Sequence, residues 1–214
     1  MKQLYLALAC TGVLSLAGCA NQPKPATPEA VVNPKAGGAE AAWQERQRVF
    51  AQMQQWQLKG RVGLQLREQS WSFGLDWAQR GNSQYEMQIK NPLTGGLMAT
   101  VMETGSQVTL KASDGKSYQD TDAERLLAKQ LKMNLPLKNL QYWARGIPSP
   151  TAPVDAVKLD AYGRPIHLQQ AGWVIDYPSY DGSSAQALPS KVQLEKASEQ
   201  LKAKLVAKEW KTRF

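Results

Sequence analysis

The chain reads as a mainly antiparallel β domain with a few helices, and three observations predict it. Three consecutive runs between Trp56 and Ile89 alternate apolar and polar residues with period two. Successive strand side chains point to opposite faces, so the alternation predicts a meander with one wet face and one oily face. Turn signals punctuate the runs, at Arg80-Gly81-Asn82, Asp114-Gly115, Tyr162-Gly163 and Ala171-Gly172. Two adjoining helical patterns between residues 121 and 146 form the only strong helical insert in this strand-rich part.

In the first run Trp56, Leu58, Val62, Leu64 and Leu66 share a parity against Gln57, Lys59, Arg61, Gln65 and Arg67. Trp71, Phe73, Leu75 and Trp77 then alternate with Ser70, Ser72, Gly74 and Asp76, and Tyr85, Met87 and Ile89 with Gln84, Glu86, Gln88 and Lys90. This oily face leads into the loop Asn91-Pro92-Leu93-Thr94-Gly95-Gly96. Leu97, Ala99 and Val101 continue on one parity, with Met98 and Met102 on the other, and Val108, Leu110 and Ala112 form the next strand.

Thr121-Asp122-Ala123-Glu124 has the form of a capping box, opening a helix with Ala123, Leu126, Leu127 and Leu131 on one face. A second helix starts at Pro136 as its first residue, buries Leu137, Leu140 and Trp143, and stops at Gly146 before Pro148. The pair is expected to lie as a plug or lid across the oily face. Beyond Pro153 come strands at Val157 and Leu159, at the inward pair Ile166 and Leu168, at Trp173, Ile175 and Tyr177, and at Val192 and Leu194. Residues 197–210 have helix-forming composition but strand-like alternation, and a strand is expected because a meander needs a closing partner.

Ahead of the strands, residues 1–18 read as an export signal, with Lys2 before an apolar stretch from Leu4 to Leu16. The following Leu16-Ala17-Gly18-Cys19 resembles the bacterial lipobox, in which the cysteine becomes the mature N-terminus and carries covalent lipid. Residues 19–42 are then a lipidated N-terminus and a Pro-, Ala- and Gly-rich tether, reaching on the order of 25 Å, and 43–214 the folded domain. Ala39, Trp43, Phe50 and Met53 recur at helical spacing and predict one amphipathic helix capping the barrel end. No later run is long and apolar enough to span a bilayer. Cys10 leaves with the signal, which excludes thiol and disulfide chemistry.

The 26 basic against 18 acidic residues favour anionic partners. An export signal argues against nucleic acid and for an acidic carrier protein or anionic lipid. Catalysis is not expected. The single histidine, His167, is expected to point outward with Gln169, and neither a Ser-His-Asp set nor a metal-ligand cluster is recognisable. Gly95-Gly96 lacks the Lys-Ser/Thr of a phosphate loop, so no cofactor is expected and the work must run on binding energy without nucleotide. The oily face is either a packed core or the wall of a half-open barrel with room for acyl chains. Periodicity counts apolar positions, not empty volume.

Several short blocks, taken together in order and spacing, resemble the LolB family of outer-membrane lipoprotein receptors, from the lipobox to Trp210. They are Leu58-Lys59-Gly60-Arg61, Trp77, Asn91-Pro92-Leu93, Leu135-Pro136-Leu137, Trp143-Ala144-Arg145-Gly146-Ile147-Pro148, Gly172-Trp173 and Leu188-Pro189-Ser190. The resemblance implies an incomplete, half-open antiparallel β-barrel of about eleven strands with a few covering helices. It also implies a monomer that accepts lipoproteins from a LolA-like periplasmic carrier and inserts them into the inner leaflet of the outer membrane. Ala20 after the lipidated Cys19 fits an outer-membrane anchor facing the periplasm. By the same resemblance Leu93 is a protruding residue that meets the membrane. The acyl chains would be held by Trp56, Leu58, Val62, Leu64, Trp71, Phe73, Leu75, Trp77, Tyr85, Met87 and Ile89. Two departures stand out: the family's Asn-Pro-Leu-Gly carries Thr94 before Gly95 here, and the C-terminal segment is richer in Ala and Lys than a typical final strand. The rival functions are a structural envelope lipoprotein with a fully packed barrel and a lipocalin-like carrier of small apolar ligands.

Overall fold

Eleven strands form one antiparallel sheet in a computed structural model that describes residues 36–132 and 135–213. The expected signal segment, Cys19 and most of the tether lie outside the described residues. The strands are β1 Gln55–Leu66, β2 Gln69–Gly81, β3 Gln84–Lys90, β4 Leu97–Thr104, β5 Gln107–Ala112, β6 Ser117–Asp120, β7 Val154–Leu159, β8 Pro165–Gln170, β9 Trp173–Tyr180, β10 Pro189–Lys196 and β11 Leu201–Arg213. Their spatial order is 6-5-4-3-2-1-11-10-9-8-7, so the last strand enters beside the first and the sheet stays open at β6 and β7. This is the incomplete barrel that the resemblance implies. The segment 197–210 is the short 3₁₀ turn Ala197–Glu199 followed by β11, and its alternation outweighs its helix-forming composition because β1 and β10 supply partners on both sides.

The alternation translates directly into burial along β1 to β3, where every second residue faces the core. Gly60 is required by a close approach. A β-bulge between Lys59 and Gly60 brings β11 so near that a Cβ on Gly60 would lie 2.5 Å from the Val206 carbonyl oxygen. The resulting bend helps the long β1–β11 pair curl the sheet.

Three helices cover the inner face: α1 Ala36–Gln52, α2 Ala123–Leu131 and α3 Leu137–Trp143. The first begins at Ala36, inside the stretch read as tether. Its residues Trp43 and Phe50, with Met53 just past its end, are buried in one hydrophobic cluster with the sheet. Among the described residues no helix is long and apolar enough to cross a membrane.

Four local expectations need correction. The cap of α2 is Asp122, not Thr121: the Asp122 carboxylate accepts from the Arg125 N–H, while Glu124 accepts from the Lys138 N–H instead of reaching back. Pro136 precedes α3 as its cap residue, and Leu137 is the first helical residue. Ile166 is not inward with Leu168. The β7–β8 register slips between Lys158 and Leu159, which leaves Ile166 44% exposed while Leu168 is fully buried. A similar slip between Ile89 and Lys90 turns Leu97 away from the Ala99 side, to 49% exposure. A one-residue shift flips a strand's faces, and composition carries no sign of where it falls.

Candidate functional site: the covered oily face and the loop beside it

Ten of the eleven residues expected to hold acyl chains are buried: Trp56, Leu58, Val62, Leu64, Phe73, Leu75, Trp77, Tyr85, Met87 and Ile89. Trp71 is half-buried at the β1–β2 hairpin, packed against the same cluster. The aromatic members form a chain of tilted and edge contacts, with Trp77 5.0 Å from Trp56 and 6.0 Å from Tyr85, and Trp56 5.6 Å from Trp210. The helices fill the space in front of this face. The recess left between the sheet and the α2–α3 pair holds about 90 Å³, well under the roughly 300 Å³ at which small-molecule pockets begin. Wider clefts open outward, one of about 490 Å³ beside Gly63, Asp176 and Lys204 and one of about 420 Å³ between α2 and Trp173.

Two buried arginines fix part of this cover. Arg46 lies wholly inside, in the middle of α1. Its guanidinium donates to the carbonyl oxygens of Gly146 at 3.0 Å, Arg145 at 2.7 Å, Ala185 at 2.6 Å and Ala187 at 2.9 Å. It also lies 4.5 Å from the Phe50 ring centre and 5.4 Å from that of Tyr180. Arg145, just past α3, answers by donating to Phe50 and Met53 at 2.6 and 2.9 Å and to Gln141 at 2.8 Å. Each cation thus sits at the carbonyl end of the other's helix, where the helix dipole favours positive charge. Burial lowers both guanidinium pKa values to about 10, which leaves them charged at neutral pH. Gly146 has φ +70°, and a Cβ there would meet Arg46 Nη2 at 2.8 Å, so only glycine admits the clamp.

Gln170 ties α3 to the sheet from the other side. It accepts from Trp143 Nε1 at 2.8 Å and the Ser149 N–H at 2.9 Å, and donates to the Ser149 and Ala152 carbonyls. Sequence reasoning missed Arg46, Arg145 and Gln170. A signal existed for one: Arg46 falls three residues after Trp43 and four before Phe50, on the apolar face of α1.

Leu93 is 92% exposed. The loop that carries it is held by its own hydrogen bonds. Asn91 Oδ1 accepts from the N–H groups of Leu93 and Thr94, the Gly95 N–H donates to Asn91 O, and the Asn91 N–H donates to Gly96 O. Gly95 supplies the φ of +74° that closes the turn, and Arg61 Nη2 donates to Pro92 O at 3.0 Å. The inserted Thr94 is absorbed, its hydroxyl accepting from the Gly96 N–H. Met98, 44% exposed, follows Leu97, so three apolar side chains share this region of the surface.

His167 lies on the outward face, its Nδ1 2.7 Å from Asp176 Oδ1 and its Nε2 3.1 Å from the Gln169 amide. This is a surface cross-strand pair.

The chain matches the family model described as outer membrane lipoprotein LolB over residues 54–210. It is 32% identical over 212 residues to an outer-membrane lipoprotein LolB of Nitrosococcus oceani, covering 98% of each chain. It is 34% identical to that of Pseudomonas syringae pv. syringae, covering 82% of this chain and 83% of the other. Among solved structures, a putative outer membrane lipoprotein-sorting protein domain from Vibrio parahaemolyticus shares the fold, with TM-score 0.50, 8% identity, and 83% and 93% of the two chains covered. The family so described works in lipoprotein localisation and is not one of enzymes. The chain belongs to the LolB family of outer-membrane lipoproteins.

Proposed function

We propose that this protein receives lipoproteins from a LolA-like periplasmic carrier and passes them into the inner leaflet of the outer membrane, anchored there through Cys19. The observation that carries this reading is Leu93, a large apolar side chain 92% exposed on a turn braced by its own hydrogen bonds. A stiff turn loses little conformational freedom on insertion, so the burial of one leucine, about 1.5–3 kcal/mol, is spent on docking and not on ordering the loop. That is enough to hold the barrel against a bilayer transiently. Each methylene of a cargo chain is worth about 0.8 kcal/mol in an apolar site, so cargo moves toward whichever site buries it best, without nucleotide.

Acceptance requires the cover to move, because the inner face is filled. The test takes the Cys19→Ala protein in two steps, loading from purified carrier and then transfer to vesicles. Leu93→Glu is expected to load like its parent and to lose transfer at least tenfold. Full transfer by the Glu variant refutes the membrane role, and failure already at loading moves Leu93 to the cargo site.

The filled interior favours one rival, a structural envelope lipoprotein. Titration with an apolar fluorescent probe separates them: saturable binding competed by an acylated peptide supports the receptor, and failure of both probe and carrier transfer supports the rival.

A further inference from the structure

The outer face of the sheet carries cations of two kinds. Lys59, Lys90 and Lys202 are paired, with Glu209, Asp76 and Glu195. Arg61 on β1, Lys111 on β5, Lys191 on β10 and Lys204 on β11 are exposed. Among the described residues none of these four has a carboxylate partner. A solvated cation needs no partner, so exposure alone assigns them nothing. Their placement does.

Arg61 lies opposite Gly74 on β2, and Gly74 opposite Lys90 on β3. With no side chain at Gly74 to cross, Arg61 reaches over β2 and donates from Nη2 to Pro92 O, one residue before Leu93. On its other side Arg61 is in register with Val206 on β11, and Val206 with Lys191 on β10. Two strand spacings put the Arg61 and Lys191 backbones about 10 Å apart. Lys204 precedes Val206 by two residues and so shares its face. Beyond the loop, Lys111 opposes Thr100 on β4, the strand that Leu97 and Met98 open. The exposed side chains of Leu93, Leu97 and Met98 thus have an unpaired cation on either side.

A partner that buries Leu93 therefore meets Arg61 as well. Hydrocarbon with a phosphate layer just outside it offers both contacts side by side, whereas an acidic protein surface supplies the charge without the hydrocarbon. We propose that Arg61, Lys111, Lys191 and Lys204 form a headgroup-binding surface that selects anionic phospholipid. The leucine tip enters the hydrocarbon while the cations meet headgroup phosphates. This rests on the membrane role of Leu93 proposed above and adds the lipid class. Each such cation raises affinity for an anionic surface about fivefold, and salt screens the effect.

The test is flotation of the Cys19→Ala protein with two vesicles, phosphatidylcholine alone and equal parts of phosphatidylcholine and phosphatidylglycerol. The parent is expected to bind the mixed vesicle about a hundredfold more tightly, with the excess lost in high salt. Lys111→Gln and Lys191→Gln, which leave the Arg61–Pro92 bond in place, are each expected to lose about fivefold on the mixed vesicle and nothing on the neutral one. Lys158→Gln, at an exposed lysine on the far edge strand β7, is expected to bind as the parent does. A loss from Lys158→Gln equal to that from Lys191→Gln overturns the proposal, because net charge then explains the binding. Variants that float normally but fail to load from the carrier also overturn it and assign the surface to an acidic protein. Parent binding to neutral vesicles with no gain from phosphatidylglycerol removes this surface and leaves the role of Leu93 standing. Binding to neither vesicle removes both.

Discussion

The helical cover is held in two different ways. Between α1 and the end of α3, the two guanidinium groups make four hydrogen bonds to backbone carbonyls inside the protein, and three more to the carbonyls of Gln141, Ala185 and Ala187. At α2 the polar ties lie on the surface. Lys138 Nζ is 2.8 Å from Asp122, Arg125 Nε is 3.0 Å from Asp120, and Lys129 Nζ is 3.8 Å from Asp120. Exposed ion pairs contribute about 0–1 kcal/mol each, whereas breaking buried charge networks costs several. The difference teaches which part of the cover can yield. The α1–α3 block moves only as a unit, and α2, nine residues long with three of its residues buried, is the weaker shutter.

The largest test of this contrast is Arg46→Met. It leaves four carbonyls without their donor, at about 1–3 kcal/mol per unsatisfied group, partly offset by relief of a buried charge. A net loss of about 3 kcal/mol is expected in urea unfolding, and Arg46→Lys recovers less than half, because an ammonium cannot span the same fork of acceptors. A loss under about 1 kcal/mol would break the comparison, since the clamp would then be no stronger than a surface pair. Next in size is Asp122→Ala, which removes the α2 cap and one ion pair and is expected to cost about 1 kcal/mol. Hydrogen exchange should rise across residues 123–131 while α1 keeps its protection, and equal loosening of both would show one cooperative lid.

The smallest effect is in pH. Hydrogen bonds from Arg125, and from Lys138 with the helix N-terminus, hold the Asp120 and Asp122 carboxyls below their usual pKa. A depressed carboxylate contributes stability that is fully present above its unfolded pKa and is lost as pH falls through the folded value. Acidification below about pH 4 should therefore loosen α2 first. The clamp cations, with pKa values near 10, do not change charge in that range. Amide NMR shifts followed from pH 7 to about pH 2 would show α2 signals moving ahead of those of α1, and simultaneous movement would refute the ordering.

Much of the architecture was legible because half-burial writes itself as period two. Trp56 to Ile89 lie where their parity puts them, and the two helices of the insert cover that face. The misplacements come from register. Leu97 and Ile166 sit beside bulges, and a bulge depends on the partner strand, which no local pattern contains. The buried cations were hidden for another reason. An arginine among Gln and Glu reads as solvent-facing, and only the meeting of α1 with the Gly146 turn, a hundred residues away, supplies its acceptors. Leu93 stood out as odd at a Gly-rich tip, but its exposure was set by Asn91 bonding across the turn.

The open edges at β6 and β7 have a mechanical consequence. A closed barrel has its circumference fixed by strand number and shear, and widening it means breaking a ladder. This sheet has no such ring. Its longest pairing, β1 with β11, forms a spine at the middle of the strand order, and five strands lie on one side of β1 with four beyond β11 on the other. The two wings can spread by changing twist alone, with every ladder intact. The wall is thus compliant in one direction and stiff in the other, and the work of making room falls on side-chain contacts between the wings and the helices rather than on the backbone.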